Sequence, residues 1–254
     1  MGRPSLSVCL ITYNLARFLP HVLANVEALA DEIVVVDSFS TDGSAELLAA
    51  HPKVRLIQRP FKDFGSQKNA LFELARGDWI LNVDQDELLG DELRAALPRL
   101  IAAPRLTHYK LPRYWVLSGP PWRHVDSEAH YPDWCLRLFR NQPAFRFAPD
   151  QLVHHHFPRE GRGPGRKTRA GHIFHFDFVL KDRAARVAKY EDYMRRDPHA
   201  ANTHRMELYE EHDFRCRPCR EPLDAPGLDQ PGWWRRPDAA RTAPAAVVPP
   251  RPPR

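Results

Sequence analysis

No apolar run in this 254-residue chain approaches the ~20 residues that a bilayer-spanning helix needs, which excludes an integral membrane protein. The stretch from Ser5 to Thr12 is too short for a secretory leader, and Asn14 and Arg17 follow at once, so a cytoplasmic protein is expected. Cysteine is scarce. Cys9, Cys135, Cys216 and Cys219 are the only ones, and an even count in so long a chain does not make a disulfide framework. Cys9, inside an apolar run, reads as a reduced buried thiol. Cys216-x-x-Cys219 has no second pair to complete a zinc site, with His212 a third ligand at best, and reads as a coincidence. A strong charge is lacking too: the net charge of +5 is too mild to argue for nucleic acid, though it permits an anionic partner. No internal repeat is visible. The glycine-rich run from Gly161 to Thr168 is no P-loop, because Arg166 stands where a glycine must precede the lysine. Its Arg159, Arg162, Arg166, Lys167 and Arg169 form either a solvated basic loop or a contact for an anionic acceptor or donor phosphate.

What is present describes a soluble globular protein, with 43% hydrophobic and 27% charged residues. The first hundred residues alternate strand and helix patterns. Leu6 to Thr12 reads as a strand, and an apolar stripe from Leu15 to Leu29 at three- and four-residue spacing predicts a helix beginning near Arg17 to Leu19, where Pro20 is tolerated. Glu32 to Asp37 has the β-branched, nearly all-apolar character of a strand buried on both faces. Further strands are expected at Val54 to Gln58 and Trp79 to Val83, with helices at Ala45 to Ala50, Gly65 to Ala75 and Asp91 to Ile101. This order predicts an α/β fold built on a mostly parallel twisted sheet, with helices on both faces and right-handed crossovers. From Thr107 the chain turns aromatic, arginine-rich and proline-punctuated, which predicts a mixed-sheet extension. Val179 to Arg196 reads as one basic helix. Its polar face would suit an anionic membrane, and its apolar stripe (Val179, Leu180, Val187, Tyr190, Met194) would suit core packing. Ten of the 25 prolines fall from Cys216 onward, predicting a disordered tail. The expected organisation is residues 1–104 as a nucleotide-binding half, 105–215 as an acceptor-side extension of the same domain, and 216–254 as the tail.

In open parallel sheets ligands bind beyond the carboxyl ends of the strands. Polar clusters fall there: Thr12-Tyr13-Asn14 after the first strand, Asp37-Ser38 after the second, Asp84-Gln85-Asp86 after the fourth. Taken singly, each has a plain structural role as a turn or cap. Together they mark one edge. Residues two apart at a strand end can point the same way, so Asp84 and Asp86 are expected to address one small volume, where two carboxylates need a cation. Mg²⁺ or Mn²⁺ bridging to a nucleotide diphosphate is the natural occupant. Asp37 would accept from a base or ribose, and Tyr13 would stack on the base. The histidine run His154-His155-His156, with His172 and His175, reads mainly as structural, His175 being the best candidate for a ligand.

The runs Ser7 to Asn14, Glu32 to Ser44, Gln67 to Ala70 and Gly77 to Glu87 resemble, in order and spacing, the signatures of family 2 glycosyltransferases. The Tyr131 to Arg140 block and Val153-His154 resemble the lipopolysaccharide-core β-glucosyltransferase branch. The resemblance covers Leu6 to about Tyr193. It implies a GT-A fold and an inverting, metal-dependent transfer of a hexose such as glucose from a UDP-sugar to a cell-envelope glycan or glycolipid. It further implies that Thr12, Tyr13 and Asp37 hold the nucleoside with Asn14 beside them. Lys68 would face the nucleotide or sugar, Asp84 the ribose or sugar, and Asp86 the metal. Asp133 is the first choice for the base that deprotonates the acceptor, with Glu128 and Asp150 as rivals. One departure stands out: His155 occupies a position where this branch carries glutamate. Two other readings remain, a catalytically inactive nucleotide- or glycan-binding relative and a sugar-nucleotide pyrophosphorylase. The latter needs a glycine-rich basic loop that does not precede Tyr13.

Overall fold

The computed structural model describes residues 2–148, 157–196 and 215–228. Four strands, β1 (Leu6–Thr12), β2 (Glu32–Asp37), β3 (Val54–Gln58) and β4 (Trp79–Asp84), run parallel in the order β4-β1-β2-β3. Crossovers α1 (Leu19–Val26), α2 (Ser44–Ala49) and α3 (Phe64–Leu74) join them. The all-apolar strands follow from burial on two sides. In β2, Ile33 and Val35 enter one core with Leu19, Val22 and Leu48, while Val34 and Val36 enter a second core with Leu71 and Phe72 of α3. Pro20 sits in the first turn of α1, where its missing N–H costs nothing. Asp63 caps α3 by accepting from the Ser66 amide at 2.7 Å.

After β4 the chain makes a tight turn into β5 (Glu87–Leu89) and α4 (Asp91–Ile101), then the long β6 (His108–Ser118), β7 (Arg123–Val125) and β8 (Asp133–Arg140). β8 pairs antiparallel with both β4 and β6, so the sheet is parallel on one side of β4 and antiparallel on the other. A 3-10 turn at Pro143–Phe145 follows, packing Phe145 into the second core. The chain then runs alongside β6 twice, as β9 (Gly165–Lys167) and as β10 (Ile173–His175), which also pairs with β5. The basic loop is thus partly a strand. Lys167 Nζ and the Arg169 guanidinium lie 5.2 and 5.6 Å from the Trp134 ring centroid.

Two expectations need correction. The single helix predicted from Val179 is two, α5 (Asp177–Leu180) and α6 (Arg183–Arg196), because Lys181 is extended (φ −118°, ψ 135°) and Asp182 restarts the helix by accepting from the Ala185 amide at 2.8 Å. Nor does the chain leave the domain at Cys216. β11 (Cys216–Pro218) pairs with β7, Glu221 is buried against His172, and Leu228 is fully buried in the first core. Residues 229–254 lie outside the described residues. All four cysteines are free thiols. Among the described residues no helix is long and apolar enough to cross a membrane.

Candidate active site

Strand order reverses between β1 and β4. β2 and β3 extend the sheet to one side of β1, while β4 lies on the other, opening a crevice at the carboxyl ends of the two central strands. Register places Thr12 beside Asp37 and Ile11 beside Asp84. The Gln85 side chain folds back over this edge. Its Oε1 accepts from Thr12 Oγ1 at 2.7 Å and from the Tyr13 amide at 2.9 Å. Asn14 (φ 47°) and Phe39 (φ 60°) adopt left-handed backbone in adjacent loops, joined by the Asn14 amide donating to Ser40 Oγ at 2.9 Å and the Thr41 amide donating to Asn14 Oδ1 at 2.8 Å. A positive φ is rare for an aromatic residue and marks a loop held in place by its surroundings. These loops present the only large hydrophobics exposed among the described residues, Tyr13 (39%) and Phe39 (51%). Asp37 is fully buried, taking bonds from the Ser40 amide and hydroxyl and from Gln58 Nε2 at 3.0 Å.

A line of alternating charges crosses from β4 to β8. Asp84 receives Lys68 Nζ at 3.0 Å from α3 and the Arg137 guanidinium from β8. Burial alone would raise its pKa, but Arg137 and Lys68 hold it well below the usual carboxylate range. Arg137 also bonds Glu87 Oε1 at 2.7 Å, and Arg113 bonds the same oxygen at 2.8 Å. Glu87 is fully buried, and its other oxygen accepts from the Asp84 amide at 3.0 Å, so it ties the turn to both arginines. Arg113 then reaches Asp133 Oδ2 through Nε at 2.8 Å and Nη2 at 2.6 Å, with Trp115 Nε1 adding a third bond at 3.0 Å. Among the described residues Asp133 Oδ1 meets only the Cys135 thiol, at 3.4 Å. Burial works to raise this carboxyl, and Arg113 with the Trp115 bond overcomes it, leaving its pKa lowered.

Asp86 belongs to a different set. Its Oδ2 lies 3.5 Å from both His175 Nε2 and Lys181 Nζ. Asp177, fully buried, pairs with Lys181 and with Lys189 Nζ at 2.9 Å. Burial opposes ionisation of both carboxyls. His175 and Lys181 nevertheless lower Asp86, and Lys189 and Lys181 lower Asp177. One ligand atom from each of Asp86, His175 and Asp177 lies within 4.8 Å of the others. Among the described residues, His175 Nδ1 and Asp177 Oδ2 are buried with no hydrogen-bond partner. Two carboxylates, an imidazole and two orphaned buried polar atoms fit a divalent cation of the Mg²⁺ or Mn²⁺ kind.

Asp84 and Asp86 meet different direct partners, while Lys189 lies within electrostatic reach of both. β4 ends at Asp84, and the turn intervenes before β5. Lys68 meets Asp84, and Asp133 joins the same network through Arg113 and Glu87. Glu128 is exposed in the turn before β8. Asp150, His154, His155, His156 and His212 lie outside the described residues, and so does the departure at His155. Sequence reasoning had no signal for Glu87, Asp177, Lys181 and Lys189 as site residues. Glu87 directly follows the acidic turn, and Asp177 stands two positions beyond His175, the histidine already singled out.

The family model described as "Glycosyl transferase family 2" matches residues 7–162, and the chain belongs to that family. It is similar to "Lipopolysaccharide core biosynthesis glycosyltransferase LpsC" of Rhizobium meliloti, 30% identical over 193 residues that cover 73% of this chain and 68% of that protein. An "Uncharacterized glycosyltransferase" of Rickettsia bellii is 32% identical over 104 residues, covering 41% of this chain but 35% of its own length. Among solved structures, S. aureus TarS 1-349 aligns with a TM-score of 0.46 at 18% identity, covering 59% of this chain and 52% of that one. The α/β sheet, parallel then antiparallel, is the architecture expected of the family.

Proposed function

We propose that the chain transfers a hexose, glucose first among candidates, from a UDP-sugar to a hydroxyl of a cell-envelope glycan or glycolipid such as lipopolysaccharide core, with inversion at the anomeric carbon. The observation that carries this reading is the convergence, at the β1/β4 crevice, of a cation-fitting Asp86–His175–Asp177 cluster with the Lys68–Asp84–Arg137 pairs. The similarity to LpsC supports the class of acceptor. Tyr13 and Phe39 offer exposed rings for a base, on loops next to Thr12 and Asp37. Lys68 and Arg137 fix Asp84 at the carboxyl end of β4, where it would accept from ribose or sugar hydroxyls. A divalent ion held by Asp86, His175 and Asp177 would supply the charge that stabilises the leaving diphosphate. Inversion by single displacement needs one base on the acceptor side, and Asp133 fits this: Arg113 and Trp115 saturate Oδ2, leaving Oδ1 as the oxygen to receive the proton.

Calorimetric titration of UDP, GDP, dTDP, ADP and CMP, with and without Mn²⁺, tests the reading. UDP is expected to bind in a Mn²⁺-dependent way, and Asp86→Ala to abolish that dependence. If no nucleotide binds under either condition, the donor site does not exist and the reading is lost. Metal-dependent UDP binding without turnover or donor hydrolysis would instead identify an inactive relative.

A further inference from the structure

The metal-fitting cluster is not an open acidic hole. Lys181 Nζ bridges its two carboxylates, 3.5 Å from Asp86 Oδ2 and hydrogen-bonded to Asp177 Oδ1, and Lys189 Nζ holds the same Asp177 oxygen at 2.9 Å. Leaving the imidazole aside, two ammonium groups balance two carboxylates. A divalent cation entering this set would leave an uncompensated double positive charge in a largely buried place, which is costly in a low dielectric. A nucleotide-sugar diphosphate is an anion and restores the balance. Neither newcomer fits well without the other.

The two lysines differ in freedom. Lys189 belongs to the body of α6 and is ion-paired with Asp177 at 2.9 Å. Lys181 lies on the extended break between α5 and α6, and its side chain is 32% exposed, so its ammonium has a route away from the carboxylates that needs no helix to move. The break exists because Lys181 leaves helical geometry and Asp182 caps the next helix.

We propose that Lys181 is a tethered counter-cation, which holds Asp86 and Asp177 until a divalent ion and a diphosphate arrive together and then turns its ammonium toward the diphosphate. The inference rests on the proposed donor site. It makes metal and nucleotide binding strongly cooperative, with Lys181 as the positioning residue that couples them. By linkage, Mn²⁺ must tighten UDP by the factor by which UDP tightens Mn²⁺.

The test is the binding of Mn²⁺ itself, read from the electron paramagnetic resonance signal of the free ion, with and without UDP, in the wild type, Lys181→Met and Lys181→Arg. In the wild type Mn²⁺ alone should bind weakly and tighten about tenfold or more with UDP, within the usual range of coupling. Lys181→Met should bind Mn²⁺ alone about tenfold more tightly than the wild type and lose most of the coupling. Lys181→Arg keeps the charge and should resemble the wild type. Equal affinity of wild type and Lys181→Met for Mn²⁺ alone would overturn the inference while leaving the donor site standing. So would an absence of coupling in the wild type, a measurement that does not depend on any variant folding. No Mn²⁺ binding in any protein, even with UDP, would remove the donor site and the inference together.

Discussion

Asp133 shows how a carboxylate can be both anchored and available. Arg113 and Trp115 load three bonds onto Oδ2, and Oδ1 keeps one weak thiol contact. Because the folded-state pKa is lowered, the carboxylate stays ionised through neutral pH and loses its proton-accepting form only below the ordinary carboxylate range. Activity that depends on it should therefore hold level down to mildly acidic pH and fall only below about pH 4. Asp133→Asn keeps the shape and most hydrogen bonds but removes the carboxylate proposed to accept the proton. It is expected to lower kcat by about 10²–10⁴ with little change in the KM for donor, measured by steady-state kinetics once an acceptor is in hand. A rise in donor KM with kcat intact would assign Asp133 to donor binding instead. Glu87 has a contrasting role at the same scale: fully buried between Arg113 and Arg137, it holds two strands to one turn.

At the scale of elements, the decisive piece is the segment from Gly165 to Arg196. It runs twice along β6, delivers His175 beside Asp86, and then breaks at Lys181 before α6. The outer end of α6 is held by ring contacts with the start of α3 and the loop before it: the Tyr193 and Phe64 ring centroids are 6.0 Å apart, and the Arg196 guanidinium is 5.4 Å from the Phe61 ring. Gly171 permits the entry into β10. Its φ of 143° and a Leu93 backbone nitrogen 2.2 Å from where a Cβ would stand leave no room for any side chain. Gly171→Ala should push β10 away from α4, lowering the melting temperature and weakening Mn²⁺ binding through His175, with both changes measured on the same protein. Unchanged Mn²⁺ affinity in a folded Gly171→Ala would show that His175 is not a ligand. Asp182→Ala is a milder change at this scale: loss of the α6 cap should cost about 1 kcal/mol in denaturant unfolding.

At the scale of the whole molecule, the described residues include buried Asp86 and Asp177 and half-buried Asp84 and Asp133, all with lowered pKa values. In each case the folded pKa lies below the unfolded one, so the stability they contribute is fully present above the unfolded value of about 3.9. It is lost as pH falls through the folded values. Thermal unfolding should consequently be nearly flat from about pH 8 to pH 5 and decline below about pH 4. A decline that begins near neutrality would point to histidine titration and contradict this account. Residues 215–228 contribute at the same scale. β11 lengthens the antiparallel side of the sheet, and Glu221 accepts from His172 Nδ1 at 2.5 Å, tying the chain back to the segment that carries the site.

The sequence by itself determined the parallel half of the molecule. β1, β2, β3 and α4 fall at the residues their patterns predict, because a strand buried on both faces must be apolar throughout and a helix with one buried face must repeat at helical spacing. It also marked the edge where the site forms, since polar residues at the ends of buried strands have few other places to go. The partners of those residues were not legible. Arg137 reaches Asp84 across a strand pair more than fifty positions away in sequence, and His175 and Lys181 reach Asp86 from about ninety. Local spacing placed Asp84 and Asp86 at one strand end, and long-range pairing decided which groups each carboxylate meets. Charges are satisfied by whatever the fold brings within a few ångströms, and only the tertiary structure sets which groups those are.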